Sequence, residues 1–322
     1  MIGSVADKSA DLLAGLGARR PRDIARAITL IENDSPEGRM LLADLIALNS
    51  GAERAAVVGL TGAPGVGKST TTSALVHEFR RRGLRVAVLA IDPSSPFSGG
   101  ALLGDRIRMQ EHSADPDVYI RSMASRGHLG GLAAATGRVL RVLDAAGFNL
   151  VLVETVGVGQ SEVEIAATAD TTVVLIAPGM GDAVQAAKAG LLEIGDVYAV
   201  NKADRDGADS AERELRSMIG LGMRDASDWT PLVVRTVAST AMGIPDLVDA
   251  IDAHQQWLDV TGALAHRRLT RARAEILHIA VDRIEREMKQ GSRGEALDLL
   301  AAKVADGKLD PHQAVEQLLS DS

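Results

Sequence analysis

A lysine, a serine and three glycines fall within ten positions, residues 61–70, which read Thr-Gly-Ala-Pro-Gly-Val-Gly-Lys-Ser-Thr. That grouping suits a phosphate ester. Gly62, Gly65 and Gly67 let the backbone curl until successive N–H groups aim inward at phosphate oxygens, and a helix starting near Lys68 turns its positive dipole end on the same anion. Lys68 adds a mobile charge, and Ser69 places a hydroxyl where phosphate-bound Mg²⁺ takes a ligand. The expected nucleotide-binding set is Gly62, Ala63, Pro64, Gly65, Val66, Gly67, Lys68, Ser69 and Thr70. The pattern carries this meaning only between a strand and a helix. The apolar run at residues 55–60 and a helix-prone stretch to about residue 82 supply both.

Three carboxylates are candidates to serve the same phosphates. Asp92 follows the apolar run 86–91, so a parallel strand would set it at the crevice where doubly wound sheets hold ligands, near Mg²⁺ or its waters. The alternative is an acid that caps the next turn. Asp105 lies in the glycine-rich, charged stretch 97–110, which is composed like a loop ordered by its ligand, and is a second candidate for the metal shell. For Arg106 and Arg108, contact with phosphate, contact with a partner and a plain surface position all stay open. Glu154 ends the apolar run 150–153 and precedes Thr155, Val156 and Gly157. Nucleotide hydrolases place an acid there for the metal or the attacking water, then a glycine N–H that senses the γ-phosphate. Lys68, Asp92, Asp105 and Glu154 are the catalytic candidates, and Ser69 joins the three acids as a metal ligand. Gln160 is either a water-positioning side chain or an ordinary loop residue.

The base is chosen elsewhere. Asn201-Lys202-Ala203-Asp204 ends the apolar run 197–200. Guanine offers two donors, N1–H and its amine, to the two oxygens of Asp204, whereas adenine presents an acceptor at the first and would leave a carboxylate unpaired. GTP and GDP are therefore favoured. Ser239, Thr240 and Ala241 follow the last apolar run, 232–237, where a backbone N–H can meet the guanine carbonyl.

These loops need a parallel sheet to bring them together. Continuous apolar runs, rather than alternating ones, indicate strands buried on both faces. Among 322 residues, 46% are apolar and only 2% aromatic, which predicts an aliphatic α/β core. One domain of about 200 residues with additions fits that length. The expected division is an N-terminal helical extension over 1–50, a P-loop GTPase domain over 51–262 and a C-terminal helical region over 263–322. Pro21 and Pro36 read as first helical positions. In the C-terminal region Leu277, Ala280, Val281 and Ile284 recur at helical spacing, which predicts a buried stripe, residues 291–294 read as a break, and Asp310-Pro311 opens a last helix. A net charge of −8 with no basic block speaks against nucleic acid. The runs 80–82 and 267–268 of arginine read as solvated helix faces. With no cysteine, disulfides, thiolate zinc and cysteine nucleophiles are excluded. The sequence shows neither a leader-like start nor a bilayer-length apolar run, so a cytoplasmic protein without membrane contact is expected.

Taken in order, these motifs resemble the G3E GTPases of the SIMIBI class, and among them the MeaB/ArgK/MMAA group associated with methylmalonyl-CoA mutase. The likeness rests on residues 62–70, Asp92-Pro93-Ser94-Ser95-Pro96, Leu103-Gly104-Asp105-Arg106, residues 125–131, residues 154–162 and Asn201-Lys202-Ala203-Asp204. It implies a P-loop NTPase fold with a mostly parallel central sheet flanked by helices, Mg²⁺ with the nucleotide, and a homodimer formed through C-terminal helices. It also implies a chaperone of an adenosylcobalamin-dependent mutase that gates cofactor delivery from an adenosyltransferase and protects the mutase. Ser239-Thr240-Ala241 departs from the group's commoner wording at the base-binding loop. The other class of reading is a small-molecule kinase, which would need an acceptor pocket and a base that no motif marks.

Overall fold

The computed structural model describes residues 5–48, 51, 53–93, 110–112, 114–125, 131–155, 161–179, 193–221 and 228–320. Three helices come first: α1 (Val5–Gly17), α2 (Pro21–Glu32) and α3 (Pro36–Leu48). Both prolines open a helix, as their fixed φ and missing N–H favour. Ser35 caps α3 by accepting the Gly38 N–H at 3.0 Å. Strand and helix then alternate through β1 (Ala56–Thr61), α4 (Lys68–Arg81), β2 (Val86–Pro93), a 3₁₀ turn (Gln110–His112) and β3 (Val118–Ser125). They continue as α5 (Gly131–Ala145), β4 (Leu150–Thr155), α6 (Ser161–Thr168), β5 (Thr171–Ile176), β6 (Val197–Asn201), α7 (Ala208–Leu221) and β7 (Leu232–Thr236). After a second 3₁₀ turn (Ala238–Thr240) come α8 (Ile244–Thr261), α9 (Ala263–Met288), α10 (Gly291–Ala305) and α11 (Pro311–Ser320).

The seven strands form one sheet in the order β3-β2-β4-β1-β5-β6-β7, and every pairing is parallel. Successive residues of β1 serve opposite cores. Val57 packs with Leu12, Ile24, Ile28, Leu41 and Ile165 on the face covered by α1, α2, α3, α5 and α6. Val58 packs with Leu75, Phe79, Leu247 and Ile251 on the face covered by α4 and α8. The N-terminal helices therefore bury their apolar sides in the same core as the sheet. None of the described helices is long and apolar enough to cross a membrane.

Of the two arginine runs only Arg81 is exposed as expected from sequence, while Arg80, Arg82, Arg267 and Arg268 are half-buried in ion pairs. Arg80 pairs with Asp115 and Asp117, and Arg82 with Glu78, Asp249 and Asp252. Arg267 grips Asp196 through two nitrogens at 2.9 and 2.7 Å, while Arg268 and Arg271 reach Asp170 at 2.9 and 2.8 Å. Both aspartates sit just before strands β5 and β6. Asp170 also accepts the Val57 N–H at 3.1 Å, and Asp196 accepts the Thr172 N–H at 2.8 Å. Burial pushes the Asp170 carboxyl up, but the guanidiniums of Arg268 and Arg271 outweigh it and hold the group below its ordinary value. Apart from Glu78, these partners lie between 35 and 170 positions away in sequence, which is why helical patterning misread these arginines.

His254, fully buried on α8, belongs to the same cluster. Its Nδ1 lies 2.9 Å from Thr171 Oγ1, and its ring stacks on Trp257 with Trp229 tilted against it. Nε2 stands 3.3 Å from Asp196 Oδ1, without hydrogen-bond alignment. Burial pushes the imidazole down to about 4, although Asp196 pulls the other way. Between pH 6.5 and 4 the unfolded chain thus binds a proton that the folded chain refuses. Stability falls as pH drops through that window, by up to ~1.4 kcal/mol per pH unit and about 3 kcal/mol in all. Urea unfolding at pH 7 and pH 4.5 should show this loss, and His254→Gln should remove that part of the slope. Equal slopes in both proteins would refute the assignment.

The chain divides into two compact units, one ending at Arg271 and one starting at Ala272, with α9 running through the boundary. The stripe predicted on α9 is exposed. Leu277, Val281 and Ile284 are 67%, 59% and 54% exposed, and no residue of α9 counts as buried. Helical spacing was read correctly, but spacing alone does not supply a covering surface. The break falls at Lys289–Gln290, and Gly291 instead opens α10, a helix the sequence reading missed. Asp310 caps α11 by accepting the His312 and Gln313 N–H groups at 2.9 and 3.2 Å.

Candidate nucleotide site

The loop between β1 and α4 leaves the middle of the sheet at its carboxyl edge. Gly62 has φ +141°, and a Cβ there would stand 2.4 Å from the Leu175 carbonyl oxygen of β5. Gly67, at φ +100°, precedes the first residue of α4, and a Cβ on it would stand 2.4 Å from Asn201 Nδ2. Both positions disfavour any side chain, which keeps the curl free of Cβ atoms where the backbone must approach a phosphate closely. Lys68 is 7% exposed and folds back over the loop, with Nζ donating to the carbonyls of Gly62 at 2.7 Å and Ala63 at 3.2 Å. An ammonium held there faces the anion that the helix dipole favours.

β4 lies beside β1 and delivers Glu154 to the same place, in register with Leu60 on one side and Ala90 on the other. The side chain is 3% exposed. One oxygen accepts the Ser69 hydroxyl at 2.6 Å and the other accepts the Thr72 hydroxyl at 2.7 Å. Ser69 and Thr72 are one helical turn apart on α4, so they present both hydroxyls on one face. A hydroxyl and a carboxylate this close at a helix N-terminus fit an oxygen-loving cation carried by phosphates.

β6 brings the base-selecting loop up against the same curl. Asn201 is buried, and its Nδ2 donates to the Val66 carbonyl at 2.8 Å. Its Oδ1 accepts the Ala238 N–H and the Thr236 hydroxyl, both at 3.1 Å. Lys202 has φ +56°, a left-handed conformation unusual for lysine, and its Nζ donates to the Gly65 carbonyl at 2.6 Å. The two side chains fasten the selector to the phosphate loop. Asp204 is exposed two residues further on, and the Ala203 N–H fixes the loop to the Thr236 carbonyl at 3.1 Å. Ser239 and Thr240 in the second 3₁₀ turn and Ala241 just after it are exposed, and the amides of Thr240 and Ala241 donate to the Val237 and Ala238 carbonyls.

Asp92 is placed by its backbone alone, near the end of β2 and opposite Ala124 of β3. Asp105, Arg106, Arg108, Gly157 and Gln160 lie outside the described residues. Among the described residues no three His, Cys, Asp or Glu side chains converge to hold a metal by themselves. Thr72 and Thr236 were missed by sequence reasoning. Thr72 stands three positions after Ser69, and that helical spacing was the available signal.

Comparison with known proteins agrees with this geometry. Residues 24–293 match the family model described as methylmalonyl Co-A mutase-associated GTPase MeaB. A Pyrococcus horikoshii protein, named only provisionally as a GTPase, is 45% identical over 300 residues, covering 92% of this chain and 93% of its own. The mouse protein named methylmalonic aciduria type A homolog, mitochondrial, is 35% identical over 96% of this chain and 78% of its own. The Escherichia coli GTPase ArgK is 37% identical over 76% and 75%. Among solved structures, that of a LAO/AO transport system kinase superposes with a TM-score of 0.73 at 26% identity, covering 98% of this chain and 97% of that one.

Proposed function

The chain belongs to the methylmalonyl-CoA mutase-associated GTPase (MeaB) family, and from that premise we propose that its GTPase cycle gates the delivery of adenosylcobalamin to a mutase of the methylmalonyl-CoA mutase type. In the same reading it protects that mutase from inactivation and receives the cofactor traffic of an adenosyltransferase. The observation that carries the proposal is the double fastening of the selector to the phosphate loop by Asn201 and Lys202. Base, phosphates and Glu154 are thereby read by one connected unit, which suits a switch that reports its nucleotide state. The match with the family and with the mouse homologue supplies the partner class. Ser69 and Glu154 would hold Mg²⁺, directly or through water, and Mg²⁺ neutralises charge on the phosphates. The exposed stripe of α9 supports a homodimer through the C-terminal helices, and a cytoplasmic site of action accords with these partners.

Phosphoryl transfer needs positive charge beyond Lys68 and a metal, and a partner that completes the site can raise the rate by about 10³–10⁵. Adding the cognate mutase is expected to raise steady-state GTP hydrolysis at least about tenfold, a threshold set well below that range. A basal rate that the mutase leaves unchanged would remove the gating role. The kinase reading, which the name of the solved LAO/AO transport system kinase suggests, makes a different prediction: phosphate would appear on a small acceptor instead of as free phosphate.

A further inference from the structure

We propose that Thr72 is a positioning residue for the hydrolytic site, holding the Glu154 carboxylate in the one orientation that keeps its other oxygen on Ser69. The proposal rests on the reading of Glu154 as the functional acid of this GTPase. A glutamate reaches one methylene further than an aspartate and has one more rotatable bond to fix. Here both of its oxygens are fixed from a single helix, by Ser69 at 2.6 Å and Thr72 at 2.7 Å.

The neighbouring threonine shows that this use of Thr72 is specific. Inside a helix a threonine hydroxyl ordinarily donates to the carbonyl four residues back. Thr71 does so, to Gly67 at 2.9 Å. Thr72 has the equivalent Lys68 carbonyl at 3.1 Å and the Glu154 oxygen at 2.7 Å, and its single proton can serve only one well. The shorter contact, to the carboxylate, takes it. Thr72 is fully buried, so water cannot replace the hydroxyl if it is removed. Glu154 would then rotate more readily about its terminal bonds, and the Ser69 hydroxyl that donates to it would lose the fixed direction in which its lone pairs would meet a cation.

Outer partners of metal-binding groups typically change metal affinity or activity by about 10–100-fold. Thr72→Val, nearly the same shape without the hydroxyl, is expected to raise the Mg²⁺ concentration needed for half-maximal binding of a fluorescent GDP analogue about tenfold, and to lower kcat about tenfold or more. KM for GTP at saturating Mg²⁺ should stay within about threefold, since the phosphate loop and base selector are untouched. Thr72→Ser, which keeps the hydroxyl, should restore both values. Glu154→Gln is measured alongside. A Thr72→Val protein that behaves like the parent while Glu154→Gln is inactive overturns the role of Thr72 and leaves the site standing. If neither variant differs from the parent, the reading of Glu154 falls as well. Failure of Thr72→Ser to restore the Mg²⁺ response assigns Thr72 to packing and overturns the proposal. Should Thr72→Val not fold, Thr72→Ala is put through the same titration under the same criteria.

Discussion

Replacing Lys68 by alanine is expected to lower GTP hydrolysis by about 10²–10³, the usual loss when one preorganised group that meets transition-state charge is removed. The fold should survive. The ammonium contributes two hydrogen bonds to loop carbonyls, at 2.7 and 3.2 Å, and losing them costs about 1–3 kcal/mol, most of it at the buried Gly62 carbonyl. The curl itself is held by other means: the left-handed glycines, the Asn201 amide on Val66 and the Lys202 ammonium on Gly65. Hydrolysis and urea unfolding measured on the same preparation separate the two effects. Hydrolysis at the parent's rate would show that the phosphates are not bound at this loop.

Legibility in the sequence followed the range of the interactions. Strands buried on both faces announce themselves as unbroken apolar runs, and β1, β2, β4 and β6 appear where those runs lie, within one or two residues. The phosphate loop was equally plain, because its glycines answer a local backbone demand at Gly62 and Gly67. Interactions between distant segments were not legible. Nothing near Arg267 or Arg268 in sequence hints at Asp170 and Asp196. Asn201 was identified as part of a motif, but its place as the strap between Val66, Thr236 and Ala238 depends on three segments meeting at one sheet edge. The α9 stripe shows the converse limit. Its periodicity is real, yet what covers an apolar face is a property of the neighbours, and Leu277, Val281 and Ile284 are exposed.

Replacing Asp204 by asparagine is expected to exchange the preferred base. The carboxylate offers two acceptors, which suit the N1–H and amine of guanine. The asparagine amide keeps one acceptor and puts a donor against the guanine amine, so one charge-assisted bond is weakened and the other becomes a clash of donors. Bonds to a charged group contribute about 1.5–3 kcal/mol each. Losing one and weakening the other therefore costs about 3–4 kcal/mol, on the order of 10²–10³ in affinity for GTP at 1.4 kcal/mol per decade. Xanthine carries a carbonyl where guanine has its amine, so the same asparagine N–H finds an acceptor, and xanthosine triphosphate should bind the variant more tightly than GTP does. The loop has the stiffness this selection needs, with Ala203 tied to Thr236 and Lys202 tied to Gly65, while Asp204 itself is exposed and its replacement disturbs no core. Competition binding against a fluorescent GDP analogue measures all three nucleotides in parent and variant. If ATP competes as well as GTP in the parent, or if the variant keeps its preference for guanine, Asp204 is not the group that reads the base.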